Sequence, residues 1–229
     1  IKYITQAGGR IDQELCREFA NDCTQKGVKF YVMYGQAEAT ARISYLPWKQ
    51  VQQKPDSIGI PIPDGKIWLE DEKCNVVDKA SLVGELVYKG ENVSLGYAEN
   101  CFDLNKGDDN QGILHTGDLA KRDKDDFYYI VGRKNRYLKM FGNRINLDEI
   151  EELILTEGHE CACTGIDDSI NIFITNPEEK NNIKLYISRK TGIHISSFKI
   201  INIDEIPRNE TGKVLYSELD FQYLKKLNV

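Results

Sequence analysis

Four short stretches of this sequence carry residue types that bind nucleotides or metal ions. Gly8 and Gly9 follow an apolar run, and a pair of glycines lets a backbone lie close to a flat ligand. In YGQAEAT, Tyr34 supplies an aromatic ring, and Glu38 supplies a carboxylate of the kind that holds Mg²⁺ on phosphates. Each feature also has an ordinary explanation, because glycine pairs occur in plain turns and acids such as Glu38 often begin a helix.

The other two stretches add a carboxylate and a lysine. In HTGDL, Asp118 follows a tight turn, and a carboxylate there can accept hydrogen bonds from both hydroxyls of a ribose. In IPRNETGK, Lys213 follows a glycine turn and brings a positive charge. Taken alone, a Thr-Gly-Asp sequence is usually only a turn, and most such lysines are solvated. Neither stretch is specific by itself.

The elements that must position these residues fall into three regions. In the first, residues 1–56, IKYIT and VKFYVMY are apolar strands on either side of a helix. The helix covers residues 12–26, ends at Gly27, and carries an apolar stripe formed by Leu15, Phe19 and Cys23. This order predicts an α/β region, the end of a βαβ layer, and α/β proteins bind ligands in the loops that follow such strands.

The second region, residues 57–132, has a different pattern. Short alternating runs such as KIWLE and GELVYKG are separated by turns of Gly, Asp, Asn and Lys. This pattern predicts a small antiparallel subdomain that resembles a β-barrel. FYYIVGR is its last strand.

The third region, residues 133–229, predicts a compact α+β domain. Asn146 is the expected N-cap of a helix, and Glu149 completes a capping box. HECACTGI and INIFIT form paired strands, Pro177 opens a second helix, KIINID is a further strand, and a terminal helix follows from residue 216. The two cysteines of HECACTGI lie at strand spacing, which predicts that they share one face and pack in the core.

Composition narrows the class of protein. The chain has 229 residues, 41% of them hydrophobic, and a net charge of −6. The negative charge argues against a nucleic-acid partner, because phosphate backbones require a basic surface. No apolar run is long enough for a transmembrane helix, so we expect no membrane partner. Six cysteines without CxxC spacing and three histidines argue against a zinc site and favour free thiols in a cytoplasmic protein.

The order of the stretches is more specific than any one of them. YGQAE at a strand end is followed by GELVYKGENVSLGY, HTGDL, YYIVGRKNRYLKMFGNRINLDEIEE and IPRNETGKV. Over residues 7–213 this series resembles the C-terminal half of the adenylate-forming (AMP-binding) superfamily, which contains acyl-CoA synthetases, luciferases and peptide-synthetase adenylation domains. The resemblance implies an ATP-dependent ligase that activates a small carboxylic acid as an acyl-AMP. The acyl group then passes to a pantetheine thiol of coenzyme A or of an acyl carrier protein.

The resemblance also implies roles for the matching positions of the nucleotide site. The backbone at Gly8 and Gly9 lies against adenine, and Tyr34 stacks on the adenine ring. Gly35 and Ala37 belong to the same nucleotide-binding stretch.

The remaining positions deal with ribose, phosphate and metal. The resemblance implies that Glu38 carries Mg²⁺ and that Asp118 binds the ribose hydroxyls. Arg133 holds ribose or phosphate as a forked donor. Lys213 matches the catalytic lysine, which bridges the acid carboxylate and the α-phosphate and stabilises charge on phosphorus as pyrophosphate leaves.

The third region corresponds to the mobile lid of the family, with a hinge just after Arg133. In one pose of the lid, Lys213 meets ATP. In the other pose, residues 139–144 cover the acyl-AMP while the thiol attacks. Gly142 leaves space for the pantetheine arm, and Arg144 meets the AMP phosphate. One moving domain then serves two chemical steps.

Three departures from the family pattern bear on activity. The Ser/Thr/Gly-rich phosphate loop is expected to precede Ile1, so we expect this chain alone to be inactive. Ala37 stands where a threonine is usual, and the loss of its hydrogen bond to a charged group costs about 1.5–3 kcal/mol. Asn135 stands at the hinge, where Asp or Lys is usual.

These departures leave two alternatives to the enzyme hypothesis. A non-catalytic module that binds AMP or a carrier protein is favoured by Ala37 and by the missing phosphate loop. An interaction domain without a ligand is the weaker alternative, because five ordered site-like stretches would then be accidental. The acid itself is not specified, because only residues 35–42 of its pocket belong to this sequence.

Overall fold

The structure, a computed structural model, describes residues 1–210 and 212–227. The chain divides into two compact units, Ile1–Lys134 and Asn135–Val229. Within the described part of the chain, no helix combines the length and the apolar character that crossing a membrane requires.

The first unit opens with the predicted βαβ arrangement. Strand β1 (Tyr3–Gln6) pairs in parallel with β2 (Lys29–Tyr34), and helix α1 (Gln13–Gln25) connects them. The side chain of Asp12 accepts from the Leu15 amide and begins the helix. Two short antiparallel strands, β3 (Ser44–Leu46) and β4 (Ile60–Pro61), extend the sheet beyond β2. The α/β part of the predicted fold class is therefore confirmed.

The predicted apolar stripe of α1 is wrong in part. Leu15 is 55% exposed and Phe19 is 40% exposed, whereas Cys16, Ala20 and Cys23 are buried. These three side chains pack against Phe30, Val32, Leu46 and Val51. Small residues let the helix approach the sheet closely, so the buried stripe is rotated from the one that the larger side chains indicated.

The second part of the first unit is an antiparallel sheet. Its strands are β5 (Lys66–Glu70), β6 (Val83–Lys89), β7 (Ile113–Arg122) and β8 (Tyr128–Arg133), paired in that order. The antiparallel subdomain is as predicted, and within the described residues its sheet stays open rather than closing into a barrel.

The second unit is the predicted α+β domain. A hairpin of β9 (Tyr137–Met140) and β10 (Asn143–Asn146) leads into α2 (Leu147–Thr156). Strand β11 (Cys161–Ile166) pairs antiparallel with β12 (Ser169–Ile174), which pairs in parallel with β13 (Phe198–Asn202). Helix α3 (Lys180–Thr191) lies between β12 and β13 in the chain, and α4 (Tyr216–Leu227) ends the description.

The N-cap predicted at Asn146 and the helix start predicted at Pro177 are confirmed in the second unit. The Asn146 side chain accepts from the Asp148 amide at the start of α2. Pro177 lies in a short 3₁₀ helix that runs into α3. Cys163 is buried, and Cys161 packs against the same core, which α2 and α3 form with the faces of β11, β12 and β13. The core packing predicted for the two cysteines is confirmed.

Candidate active site

A buried carboxylate on β7, next to the ends of β2 and β8, organises the polar residues at this part of the first unit. Asp118 on β7 is 4% exposed and lies opposite Arg133 of β8 in the sheet register. Its Oδ2 accepts from the Tyr34 hydroxyl at 2.5 Å and from Gln36 Nε2 at 3.0 Å. Its Oδ1 lies 3.0 Å from Arg133 Nε. The structure therefore brings together three predicted site residues, Tyr34, Asp118 and Arg133.

The tight turn predicted before Asp118 is wrong, because HTGDL lies within strand β7, where the register against β6 shifts. Hydrogen bonds of this irregular stretch hold Asp118 in position. Thr116 donates from its hydroxyl to the Leu86 carbonyl of the neighbouring strand at 2.7 Å, and the same oxygen accepts from the Asp118 amide. Gly117 has a φ of +70°, a conformation that glycine adopts without strain. Gln36 also donates to the Thr116 carbonyl at 2.9 Å, so this stretch of β7 is tied to the end of β2.

The phenol of Tyr34 acts as a donor in this cluster. Burial, followed by the adjacent Asp118 carboxylate, raises the pKa of Tyr34 above its ordinary value. The hydroxyl therefore keeps its proton at neutral pH and donates it to Asp118.

Glu38 lies on the 3₁₀ helix Ala37–Ala39 that follows β2. Its Oε1 accepts from the Tyr97 hydroxyl at 2.6 Å, and this hydrogen bond lowers the pKa of the carboxyl, which stays ionised at neutral pH. No cluster of three or more metal-ligating side chains exists in the described residues. A single ionised carboxylate still fits Mg²⁺, because this ion commonly binds one or two carboxylates together with waters and substrate phosphates.

The structural features that favour glycine differ among the glycines of the first unit. Gly8 has a φ of +96°, which favours glycine, whereas a Cβ at Gly9 would meet no atom within 4 Å. A Cβ at Gly35 would lie 2.4 Å from the Ala41 carbonyl oxygen, so close backbone approach requires glycine there. Ala37 is exposed beside it. Packing explains Gly35 but gives no reason for Gly9.

Two predicted residues, Gly142 and Arg144, belong to the β9–β10 hairpin of the second unit. Phe141 and Gly142 have φ values of +50° and +87°, as the central residues of a type I′ turn do. A Cβ at Gly142 would meet no atom within 4 Å. The guanidinium of Arg144 lies 4.8 Å from the centre of the Tyr137 ring. The turn alone gives a reason for a glycine at 142.

Lys213 lies on a loop of the second unit that is built by its own hydrogen bonds. The Lys213 amide donates to the Asn209 side chain at 2.9 Å, and the Asn209 amide donates to the Lys213 carbonyl at 2.9 Å. Arg208 Nη1 donates to the Gly212 carbonyl at 2.8 Å. Lys213 is exposed.

Sequence reasoning did not identify three residues that the structure places in or beside these features. Gln36 bridges Tyr34, Thr116 and Asp118, and its place in the strand-end stretch was the only signal for it. Tyr97 reaches Glu38 across 59 positions of sequence. Arg136, which lies close to the predicted hinge after Arg133, is 7% exposed.

The comparisons with known proteins agree with the geometry. The sequence profile of the family described as AMP-binding enzyme matches residues 1–98. A 2-succinylbenzoate–CoA ligase of Bacillus cereus (strain Q1) is 31% identical over 206 residues, which cover 86% of this chain and 42% of the relative. This chain belongs to the AMP-binding family of adenylate-forming enzymes. The resemblance predicted from the order of motifs is confirmed.

Other members of the AMP-binding family are also similar to this chain. A long-chain-fatty-acid–CoA ligase of Escherichia coli O6:H1 is 29% identical over 198 residues, which cover 81% of this chain and 34% of the relative. An o-succinylbenzoate coenzyme A synthetase of Bacillus subtilis, solved with ATP and a magnesium ion, has a TM-score of 0.67 at 23% identity. That match covers 96% of this chain and 46% of the solved one and shows the shared fold. The chain spans less than half the length of these relatives.

Proposed function

We propose that the protein carrying this AMP-binding chain is an ATP-dependent ligase. It activates a carboxylic acid as an acyl-AMP and transfers the acyl group to a pantetheine thiol. The observation that carries the proposal is the buried Asp118 carboxylate, with Tyr34, Gln36 and Arg133 around it. The CoA-ligase names of the sequence relatives support the same reaction class.

Asp118 is the proposed ligand of the ribose. A carboxylate offers about four lone-pair positions, and three donors contact this one. Its Oδ1 therefore has capacity for one ribose hydroxyl. Arg133, whose side chain is 59% exposed, can leave Oδ1 to a second hydroxyl and turn to a phosphate.

Adenine is proposed to lie between the Tyr34 ring and the backbone at Gly8 and Gly9. An aromatic ring offers a stacking surface. Space beside Gly9 supports this proposal, because among the described residues only its chain neighbours can lie within 4 Å of the Cβ position there.

Glu38 is the proposed protein ligand of magnesium carried by the ATP phosphates. A bound magnesium ion would neutralise charge on the phosphates. The Glu38 carboxylate is suited to this role because its hydrogen bond from Tyr97 favours the ionised form.

Lys213 is the proposed catalytic residue of the first step. A carboxylate oxygen of the acid attacks the α-phosphorus of ATP, a new oxygen–phosphorus bond forms, and the bond to pyrophosphate breaks. The Lys213 ammonium group stabilises the negative charge that builds up on the oxygens of the α-phosphoryl group. This step needs no covalent intermediate on the enzyme.

The second step is proposed to use the β9–β10 hairpin after movement of the second unit. The thiol loses its proton and attacks the acyl carbon, and AMP leaves with the electrons of the broken bond. Gly142 leaves room for the pantetheine arm, and Arg144 meets the AMP phosphate. The acceptor is coenzyme A or a carrier-protein pantetheine, and the acid contacts residues 35–42.

The cell compartment proposed for this reaction is the cytoplasm. All six cysteines are free, which suits a reducing compartment. A second candidate function, a non-catalytic module that binds AMP or a carrier protein, is favoured by Ala37, which has no hydroxyl to offer a phosphate.

The two half-reactions test the proposal when they are measured separately. Lys213→Ala should slow acid-dependent ATP–pyrophosphate exchange by about 100-fold or more, since one such electrostatic contact is worth about 3–4 kcal/mol. It should spare thioester formation from synthetic acyl-AMP. Lys199→Ala, at another exposed lysine of the second unit, is the control and should change neither step.

Substitutions at Gly142 test the second step. Gly142→Ala and Gly142→Leu share the strain of a positive φ and differ in bulk. The leucine variant should form thioester from synthetic acyl-AMP far more slowly than the alanine variant, while pyrophosphate exchange is equal in both. The chain alone is expected to be inactive, so these assays use the protein that carries it. Absence of acid-dependent exchange in that protein, together with retained AMP binding, would favour the non-catalytic module instead.

A further inference from the structure

A loop that is distant in sequence forms hydrogen bonds with the proposed metal ligand Glu38. The clamp loop, residues 90–97, follows strand β6 and contacts the Glu38 segment, residues 37–42. The Tyr97 hydroxyl donates to Glu38 Oε1 at 2.6 Å, and the Ser94 amide donates to the Glu38 carbonyl at 2.7 Å. Side chain and backbone of the same residue are therefore both held by one loop.

Asn92 holds the rest of the Glu38 segment. Its Nδ2 donates to the Ala39 carbonyl at 2.7 Å and to the Arg42 carbonyl at 2.9 Å. In return, the Thr40 hydroxyl donates to the Asn92 carbonyl at 3.1 Å. The Asn92 Oδ1 accepts from the hydroxyl of Tyr88, a fully buried residue of β6. Asn92 thus links the segment to the core.

The segment between those two carbonyls is strained. Thr40 and Ala41 have φ values of +43° and +72°, and non-glycine residues rarely adopt this left-handed conformation, least of all in succession. Such a conformation persists only where surrounding contacts over-determine it. The two hydrogen bonds from Asn92 lie on either side of the strained pair and hold it in this conformation.

We propose that Tyr97 is a positioning residue for Glu38 and that Asn92 fixes the strained segment that carries Glu38. This inference rests on the proposed role of Glu38 as the magnesium ligand. A glutamate side chain rotates about three bonds, and Glu38 sits on a 3₁₀ helix of only three residues. The Tyr97 bond occupies one carboxylate oxygen and restricts the side chain, so the second oxygen would be left to hold the metal.

The first test measures how firmly the Glu38 segment is held, and it does not require catalysis. Amide hydrogen exchange is measured on the unmodified protein and on Tyr97→Phe and Asn92→Ala. Both substitutions should speed exchange of the amides of residues 39–43 by about threefold or more, the effect of one modest hydrogen bond. Tyr129→Phe is the matched control, because it removes another tyrosine–carboxylate bond, to Asp123, in the same unit. Unchanged exchange in Tyr97→Phe would overturn the clamp.

A rescue variant shows whether faster exchange in Asn92→Ala comes from backbone strain in the Glu38 segment or from a general loss of stability. Ala41→Gly relieves the positive φ, since glycine adopts it freely. The double variant Asn92→Ala/Ala41→Gly should recover slow exchange across the segment. Failure of this rescue, with a thermally stable double variant, would contradict the assigned role of Asn92.

The second test measures how pyrophosphate exchange depends on magnesium concentration. The magnesium concentration that gives half-maximal pyrophosphate exchange should rise about three- to tenfold in Tyr97→Phe, with activity recovered at saturating magnesium. It should stay unchanged in Tyr129→Phe. A fall in maximal rate with no change in magnesium dependence would overturn the positioning role. If the protein that carries this chain shows no exchange activity, the proposed function fails, and the amide-exchange result still decides on the clamp.

Discussion

At the scale of the residue, Tyr34 carries two interactions that substitution can separate. Its hydroxyl donates to Asp118 at 2.5 Å, and its ring is proposed to stack on adenine. Tyr34→Phe keeps the ring, so we expect the free energy of unfolding to fall by about 1–3 kcal/mol because a hydrogen bond to a charged acceptor is lost. Affinity for AMP should change by less than about threefold.

Tyr34→Leu removes the hydroxyl and the ring together. Its stability should match that of the phenylalanine variant to within about 1 kcal/mol, while its affinity for AMP should fall about tenfold further, since stacking of a base on an aromatic ring is worth about 1–3 kcal/mol. Urea denaturation and titration calorimetry measure the two quantities. Equal AMP affinity in the two variants would remove the ring from the adenine site.

The sequence identified some of these residues and missed others for a physical reason. Tyr34 lies at the end of β2, where chain direction alone predicts ligand contacts. Asp118 lies within β7 and was identified from its Thr-Gly-Asp stretch. Gln36 and Tyr97 owe their positions to partners 82 and 59 residues away, and no local pattern encodes such pairings. Gly142 was predicted from the resemblance, and the type I′ turn adds a backbone reason that spacing alone did not indicate.

At the scale of the element, Arg136 joins three parts of the second unit. Its guanidinium donates to Asp148 and Glu151 of α2 at 2.7 and 2.6 Å and to the Cys163 carbonyl of β11. It also lies 3.9 Å from the centre of the Tyr216 ring in α4. The residue that follows the proposed hinge is therefore fixed within the second unit.

Removal of this guanidinium should destabilise the second unit. Arg136→Ala leaves Glu151 with its side chain only 19% exposed and without its ionic partner, so the free energy of unfolding should fall by about 3 kcal/mol. Arg208→Ala is the control. It breaks an ion pair with Glu160 in which both side chains are exposed, together with an exposed hydrogen bond to the Gly212 carbonyl, and it should cost at most about 1.5 kcal/mol. Equal losses in urea denaturation would contradict the role of Arg136 as a buried anchor.

Elements with strong local signals were predicted well, and those set by packing were not. Caps and turns at Asn146 and Pro177 define the second unit locally. In α1, by contrast, the predicted stripe contained Leu15 and Phe19, although the sheet contacts the small side chains of Cys16 and Ala20. The helical spacing of apolar residues alone cannot distinguish two neighbouring stripes of a helix when both contain apolar residues.

At the scale of the whole molecule, the division between the units gives a proteolysis prediction. Arg133 is more than half exposed, and Lys134 and Asn135 are exposed, whereas Arg136 is buried. Brief treatment with trypsin should therefore cut after Arg133 or Lys134 before it cuts after Arg136, as mass spectrometry of the fragments would reveal. Preferred early cuts inside α2, with residues 133–136 intact, would argue against an exposed hinge.

The family followed from the sequence, whereas the substrate did not. Five motifs in a fixed order are more informative than any one of them, and the profile match and the relatives agree with that order. The relatives include ligases named for 2-succinylbenzoate and for long-chain fatty acids, so family membership does not specify the acid.

The central claim is that Asp118 binds the ribose of an adenine nucleotide, and a thermodynamic cycle tests it directly. The unmodified protein should bind AMP about tenfold or more tightly than 2′,3′-dideoxy-AMP, because hydrogen bonds to a charged acceptor are lost with the hydroxyls. Asp118→Asn should reduce that ratio to below about threefold. Asp123→Asn, at a carboxylate that also accepts from a tyrosine and a lysine, should leave the ratio unchanged. Equal binding of the two nucleotides by the unmodified protein would contradict the account.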